Sequence, residues 1–319
     1  MMDYALNPHH SELHGQLMQW LSTPTAATDA AKWLLLDAAM FEEKAFLRLM
    51  KGQESACFRN IFTNTRKEDY SLKDPHLIIL DALERTRQKV LLQSLLNLTS
   101  GIPAVAALDA GADAAALSSC LAWFAQTRTL DGLELYCRVA DTRITPGLLQ
   151  ALDNEQSAKL GQLVLQWQVI NRHGAWEALL PDSKAQPNVY APVAALDTTQ
   201  PFILSDGQYA MLMQKAEPDA LFQLLCEGNP ELVPDEGRGE FHQRLAAIVA
   251  RAHQHGLESG PDIVLFAVVA LTTQDGFDTH PALKESWLSV QQKTASFSEL
   301  VAAWPEAMWD ALSQPVPFP

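Results

Sequence analysis

The sequence predicts an α+β fold: an N-terminal α/β lobe over residues 1–190, with a small mixed sheet flanked by helices, and a C-terminal all-helical lobe over residues 191–319. Three observations carry this expectation. Short apolar runs bounded by turn residues recur in the first half. An Asp-Gly pair stands between two strand-like runs at residues 131–132. After residue 201 the apolar spacing becomes helical. A chain of 319 residues is long enough for two such domains.

The elements follow in order. Leu13, Leu17, Met18 and Leu21 share one helical face, and Thr23-Pro24 ends that helix. Trp33-Leu-Leu-Leu-Asp37 reads as a buried strand that meets a loop at its acidic end. Residues 42–50 read as a helix closed near Gly52. A turn at Asp74-Pro75 precedes a second buried strand, His76-Leu-Ile-Ile-Leu80. Residues 83–98 form a helix with Arg85, Arg87 and Lys89 on its polar side, broken by Gly101-Ile-Pro103. Residues 104–108 give a third strand, and Asp113 caps a helix that reaches about Gln126.

Residues 127–130 and 133–139 flank Asp131-Gly132, which predicts a hairpin with a type I′ turn. Its second strand places Leu133, Leu135, Cys137 and Val139 on one face and Glu134, Tyr136 and Arg138 on the other. Pro146 suits the first turn of a helix ending at Leu152. Residues 163–170 alternate again, with a turn at 171–174 before Trp176. Four prolines between 181 and 201 mark the domain boundary.

Beyond it, Pro218 begins a helix that Gly228 and Pro230 end. Phe241, Leu245, Ile248, Val249 and Ala252 form a helical stripe. Residues 263–271 are apolar on all sides and central. Periodicity does not separate helix from strand there, and the surroundings favour a helix. Residues 283–290 and 300–312 complete the helical lobe.

Apolar residues make up 48% and charged residues 19%, as in packed globular proteins. Net charge is -15, and residues 201–319 carry -10 of it. Neither part offers the net basic footprint that phosphate binding needs, so no nucleic-acid partner is expected. Cys57, Cys120, Cys137 and Cys226 are far apart and flanked by apolar residues, which predicts buried free thiols. Met1-Met-Asp-Tyr4 lacks the basic start of a signal peptide, and the longest apolar run falls short of the about 20 residues that span a bilayer. The expected location is cytoplasmic, with no membrane partner.

Few patterns carry chemistry. No phosphate loop and no G-x-S-x-G elbow is present. Gly237-Arg-Gly239 reads as a flexible loop and Asp235-Glu236 with Glu240 as an exposed one. His10 and His14 sit four apart on a predicted helix, without the glutamate of a zinc motif, and His253 and His255 would diverge; both pairs read as solvated. Asp109 and Asp113 read as flanking or capping a helix start. No catalytic, cofactor-binding or metal-binding residue is assigned.

Arg138, Asp141 and Arg143 remain, at the end of the hairpin and before the Pro146 helix. Two roles stay open for them: an ion-pair network that fixes the corner, or a patch that binds a partner's backbone or carboxylates.

At this point the chain resembles the type VI secretion effector adaptors, also called effector chaperones. Trp33-Leu-Leu-Leu-Asp-Ala-Ala39 looks like the family's first strand, and Asp74-Pro-His-Leu-Ile-Ile-Leu80 is similar to its Pro-aromatic-Leu strand. Leu130-Asp-Gly-Leu-Glu-Leu-Tyr-Cys-Arg-Val-Ala-Asp-Thr-Arg143 resembles its hairpin leading into Arg-Phe-Tyr-Asp-Pro-Arg. Leu148-Leu149, Leu152, Gln156 and Leu160-Gly161 continue the match, which covers about residues 30–180. Val139-Ala140 stands in place of the aromatic pair and Thr142 in place of the proline. The family's His-Leu-Arg before the hairpin is absent, and Leu121-Ala-Trp-Phe124 lies there.

The resemblance implies a non-enzymatic cytoplasmic adaptor without a cofactor. Its partners would be a toxin effector and the VgrG spike, or an associated tip protein, onto which the effector is loaded for bacterial toxin delivery. The alternative is a hydrolase-like enzyme, with a deep polar pocket near Asp37 or Asp141. A scaffold that only oligomerises is a third reading.

Overall fold

A computed structural model describes residues 3–25, 27–51, 57–63, 72–179, 201–274 and 276–313. These form two compact units: one within Leu6–Lys215, the other made of the residues before Leu6 together with those from Ala216 onward. The boundary expected at 190/191 lies outside the described residues. The fold is α+β, with the sheets in the first unit and helices in the second.

In the first unit, α1 (Leu13–Ser22) buries Leu13, Leu17, Trp20 and Leu21. β1 (Ala30–Asp37) is buried along almost its whole length. α2 (Glu43–Met50), β2 (Phe58–Asn60) and β3 (Pro75–Ile79) follow. The expected helix closure at Gly52 lies outside the described residues. α3 (Arg85–Thr99) leads into β4 (Val105–Gly111). The Asp113 carboxylate accepts from the amides of Ala115 and Ala116 and starts α4 (Ala114–Ala125), as its sequence position predicts.

Next come β5 (Gln126–Thr129), β6 (Glu134–Tyr136), α5 (Thr145–Ala151), α6 (Asn154–Gly161), β7 (Val164–Ile170), β8 (Trp176–Ala178) and β9 (Phe202–Leu204). The main sheet has the order β2-β3-β1-β4-β7-β8 and is antiparallel at every pairing. Mixed character is confined to a small sheet, β6-β5-β9, whose β5–β9 pair is parallel.

The main sheet is covered on both faces, which is why its central strands read as unbroken apolar runs rather than alternating ones. Trp33, Leu35, Leu108, Trp167 and Val169 pack against Leu117, Leu121 and Phe124 of α4. Leu34, Leu36, Ile78 and Ala107 pack against Leu17 of α1, Phe46 of α2 and Leu92 and Leu95 of α3.

Several expectations need correction. The hairpin turn is not type I′, because Asp131 does not adopt a positive φ. Gly132 alone does, at 87°, and its amide donates to the Thr129 carbonyl while the Thr129 amide donates to Leu133. That is a three-residue loop with glycine in the left-handed position. Its second strand is short, and Leu133 is exposed.

The helix read as starting at Pro218 is α7 (Asp206–Gly228), with Pro218 inside it. Ser205 and Gln208 exchange hydrogen bonds between backbone amides and side chains, and that capping pair starts α7 well before the proline.

In the second unit, α8 (Arg238–Gln254) buries all five stripe residues. Gly237 sits at its start with φ 67°, so Gly237-Arg-Gly239 is a helix entry rather than a flexible loop. Residues 263–271 fall within α9 (Gly260–Thr272). α10 (Lys284–Gln291) follows. The run read as one helix over 300–312 is two, α11 (Phe297–Ala302) and α12 (Glu306–Leu312), parted at Pro305, which lacks the amide needed to continue.

The segment before α1 is tied to the β7–β8 hairpin. The Asn7 amide donates to Arg172 and the His10 amide to Gly174. Gly174 has φ 75°, and a Cβ there would lie 2.1 Å from the Pro8 carbonyl oxygen. Gly174→Ala is therefore expected to lower stability by about 2–4 kcal/mol. Gly161→Ala, which meets open space, should stay within about 0.5 kcal/mol of the parent. Thermal unfolding of the two variants checks the contrast.

Candidate functional site

Residues 137–145 wind through a tight corner held by its own backbone hydrogen bonds and by bonds to Ala125 and Pro103. The Cys137 amide donates to Ala125, Val139 to Cys137, Asp141 to Arg138, and Thr142 to Pro103. The Thr145 hydroxyl donates to the carbonyls of Val139 and Asp141. Val139, Ala140 and Asp141 are fully buried. Val139 and Ala140 contribute to the core beneath α4, a place where small side chains fit.

The three charged residues of the corner do not form one network. Arg138 reaches back to the end of β1 and donates through Nε and Nη2 to Oδ2 of Asp37, at 3.1 and 2.9 Å. Arg143 grips Asp141 in two-pronged fashion, Nε to Oδ1 at 3.0 Å and Nη2 to Oδ2 at 2.7 Å, and its amide donates to the same carboxylate. Asp37 also accepts from the Ala39 amide. Burial holds the Asp37 carboxyl above its ordinary value of 3.8; Arg138 opposes that shift and the charge of Asp141 adds to it. The sequence signal for Asp37 was an acid closing an apolar strand.

A second polar assembly lies toward the opposite end of β1, and sequence reasoning did not find it. Asp109 is a strand residue on β4, not a helix flank. Its carboxylate pairs with Lys32 Nζ at 3.2 and 3.3 Å and accepts from Trp20 Nε1 at 2.8 Å. Lys32 Nζ also sits 4.7 Å above the Trp20 ring. Both charges are almost fully buried. They form the floor of a cleft of about 320 Å³ walled by Gln16, Gln19 and Trp20 of α1, by Thr23 and Pro24 after it, by Gln166 and Gln168 of β7 and by Trp176 of β8.

The pairing of β4 with β7 slips a register between Asp109 and Ala110, which sets Leu165 as an extra residue and turns Gln166 opposite Asp109. Gln168 Nε2 reaches Gln166 Oε1 at 3.4 Å. Oε1 of Gln16 and Oε1 of Gln168 are buried without a hydrogen-bond partner. Neither Asp37 nor Asp141 lines this cleft. The available signal was a lysine at the head of one apolar strand and an acid within another.

Of the two histidine pairs, His10 and His14 are exposed, as read. His10 precedes α1, so its ring does not share a helical face with His14. His253 and His255 are half-buried rather than fully solvated: His253 meets Glu217 at 2.8 Å, and His255 meets Asp278 at 3.1 Å while stacking on Trp287. Asp235, Glu236 and Glu240 are exposed, as read. All four cysteines are free; Cys57 and Cys120 are buried, and Cys137 and Cys226 are half-buried. Burial pushes the Cys120 thiol up to about 12 and the Cys137 thiol to about 11, so both stay protonated and weakly nucleophilic at neutral pH. Among the described residues, no cluster of three His, Cys, Asp or Glu is placed to hold a metal ion, and no helix is long and apolar enough to cross a membrane.

Comparison with protein families matches residues 32–159 to a model described as Domain of unknown function (DUF4123). That match falls inside the α/β unit and contains both corner ion pairs together with Lys32 and Asp109. No curated protein and no solved structure matches the chain.

Two predictions follow from these geometries. Arg143→Met leaves a fully buried carboxylate without its cation, held only by a backbone amide, and is expected to cost about 3–5 kcal/mol. Arg138→Met should cost less, since Arg138 is partly solvated; chemical denaturation compares the two. The raised Asp37 carboxyl binds its proton more readily folded than unfolded. Its contribution therefore opposes folding at neutral pH and fades as the pH falls through the raised value toward 3.8. The stability of the parent relative to Asp37→Asn should rise over that descent, as read by denaturation at successive pH values.

Proposed function

We propose that this chain is a non-enzymatic cytoplasmic adaptor of type VI secretion, which binds a toxin effector and helps to load it onto the VgrG spike or an associated tip protein. The observation that carries this reading is the match of residues 32–159 to the DUF4123 model, over the same stretch in which the sequence resembles the effector adaptors. The corner supports it physically. Arg138, Asp141 and Arg143 are spent on holding a strand end and a helix start together, the arrangement of a marker motif that fixes a binding scaffold.

Within that scaffold, contact with the partner falls to the arginines. Side-chain exposure is 32% for Arg138 and 14% for Arg143, whereas Asp141 is buried behind them. Partly exposed arginines on a rigid support are frequent anchors of protein interfaces. The acidic net charge favours a partner surface of opposite sign.

The test is affinity capture of the tagged chain from its native cells with cross-linking and mass spectrometry. The expected outcome is recovery of one toxin effector and a spike or tip protein. Recovery of neither overturns the proposal. If Arg138 is an anchor, Arg138→Gln should weaken effector capture about tenfold or more, with folding followed in parallel by thermal unfolding.

A further inference from the structure

We propose that the open edge of β6 is a docking site for an extended, basic segment of a partner polypeptide, which joins the small sheet as a further strand. This rests on reading the chain as an adaptor for another protein, and it names the kind of segment that one of its surfaces takes.

The small sheet has β9 at one edge and β6 at the other. The β9 edge is capped, because the Ile203 carbonyl accepts from Gln156 Nε2. At β6 the ladder leaves main-chain groups over. The Thr129 amide donates to the Leu133 carbonyl and the Cys137 amide to the Ala125 carbonyl, so Leu133, Leu135 and Cys137 turn their backbone groups toward β5. In an antiparallel pair the residues between them turn the other way. Those are Glu134 and Tyr136, and among the described residues nothing bonds their amides or carbonyls. Two donors and two acceptors thus lie along one side of an extended chain. Their complement is another extended main chain, as in strand addition to a sheet edge.

Side chains choose the occupant. On the outer face of the sheet, Arg128 of β5 pairs with Glu134 of β6. Cross-strand neighbours of opposite sign stabilise a sheet, so a lysine or arginine across from Glu134 continues the alternation of charge. Asp131 in the hairpin loop adds a second exposed acid. Leu130, Leu133 and Tyr136 are exposed beside them and offer apolar surface to the residues flanking that cation. A second copy of this chain fits less well. Pairing β6 with itself sets Glu134 against Tyr136 or against another Glu134, and Arg138, two residues on, is already held by Asp37. Each copy also carries a net charge of -15, which opposes association.

The test titrates the full chain with N-acetyl-Thr-Tyr-Thr-Lys-Thr-Tyr-Thr amide and follows amide hydrogen exchange by NMR. The expected result is saturable slowing of exchange at Glu134 and Tyr136 by about tenfold or more, with Leu135, already bonded within the sheet, unchanged. The same peptide N-methylated at its lysine and tyrosines has lost the donors that would pair, and should have no effect. Glu134→Lys should weaken binding of the lysine peptide by about tenfold or more and favour a peptide with glutamate in its place; thermal unfolding confirms that this variant folds. An absence of slowing at Glu134 and Tyr136 overturns the proposal, as does equal slowing by the N-methylated peptide. Failure of Glu134→Lys to discriminate the two peptides overturns it as well. Slowing that grows with protein concentration in the absence of peptide assigns the edge to a second copy and overturns it too. Neither effector nor spike enters this titration, so its outcome is separable from that of the capture experiment.

Discussion

The registration of β1 within the main sheet is the constraint on which the rest of the first unit depends. A strand with one buried face is held in register by its alternation, because a one-residue slip would turn apolar side chains to water. β1 lacks that safeguard. Helices cover both faces of its sheet, and Trp33, Leu34, Leu35 and Leu36 are all buried. By apolar content alone, neighbouring registers differ little. The charges near its two ends supply the discrimination. Lys32 must meet Asp109 of β4, and Asp37 must meet Arg138 beyond β6. A slip would strand four charges in or near the core, at a cost of several kcal/mol for each buried ion left unpaired. These pairs add little net stability over apolar replacements; their value lies in excluding alternative registers.

The same strand thereby links two polar assemblies of opposite character. At its C-terminal end the charged groups of the corner are paired, and the chain turns into α5 over a buried aspartate. Near its N-terminal end the ion pair is matched but the glutamines around it are not. A satisfied network rigidifies the fold around it, whereas unpaired buried polar groups are costly. The adaptor reading uses the first as a rigid frame that carries arginines toward the surface.

Much of this was legible in the sequence. Asp113 announced α4 because its carboxylate is the obvious partner for the free amides of a helix start. The stripe from Phe241 to Ala252 announced α8 because packing chose the face that the spacing marks. The α+β class followed from the same local signals. Less legible was whatever depends on distant partners. Arg138 and Asp37 are 101 residues apart, and nothing local says that they meet. Asp109 looked like a helix flank because an acid after an apolar run is ambiguous until its lysine is placed. The start of α7 was missed because Pro218 is a loud signal and Ser205-x-x-Gln208 a quiet one. Downstream burial of Leu221, Phe222 and Leu225 overrides the cost of the proline.

That quiet signal has a further consequence. Asp153 and Gln156 form the capping box of α6, and Ser205 and Gln208 start α7 in the same way. The two glutamines also bond each other, Gln208 Nε2 to Gln156 Oε1 at 2.6 Å, while Gln208 reaches the Ala151 carbonyl at the end of α5. The end of α5 and the start of α6, adjacent in the chain, thus share one pair of amides with the start of α7, more than fifty residues later. A change at either glutamine would be felt at both helix starts, and once one is lost the other has less to preserve it. Among descendants of such a chain, the two positions should drift together or not at all.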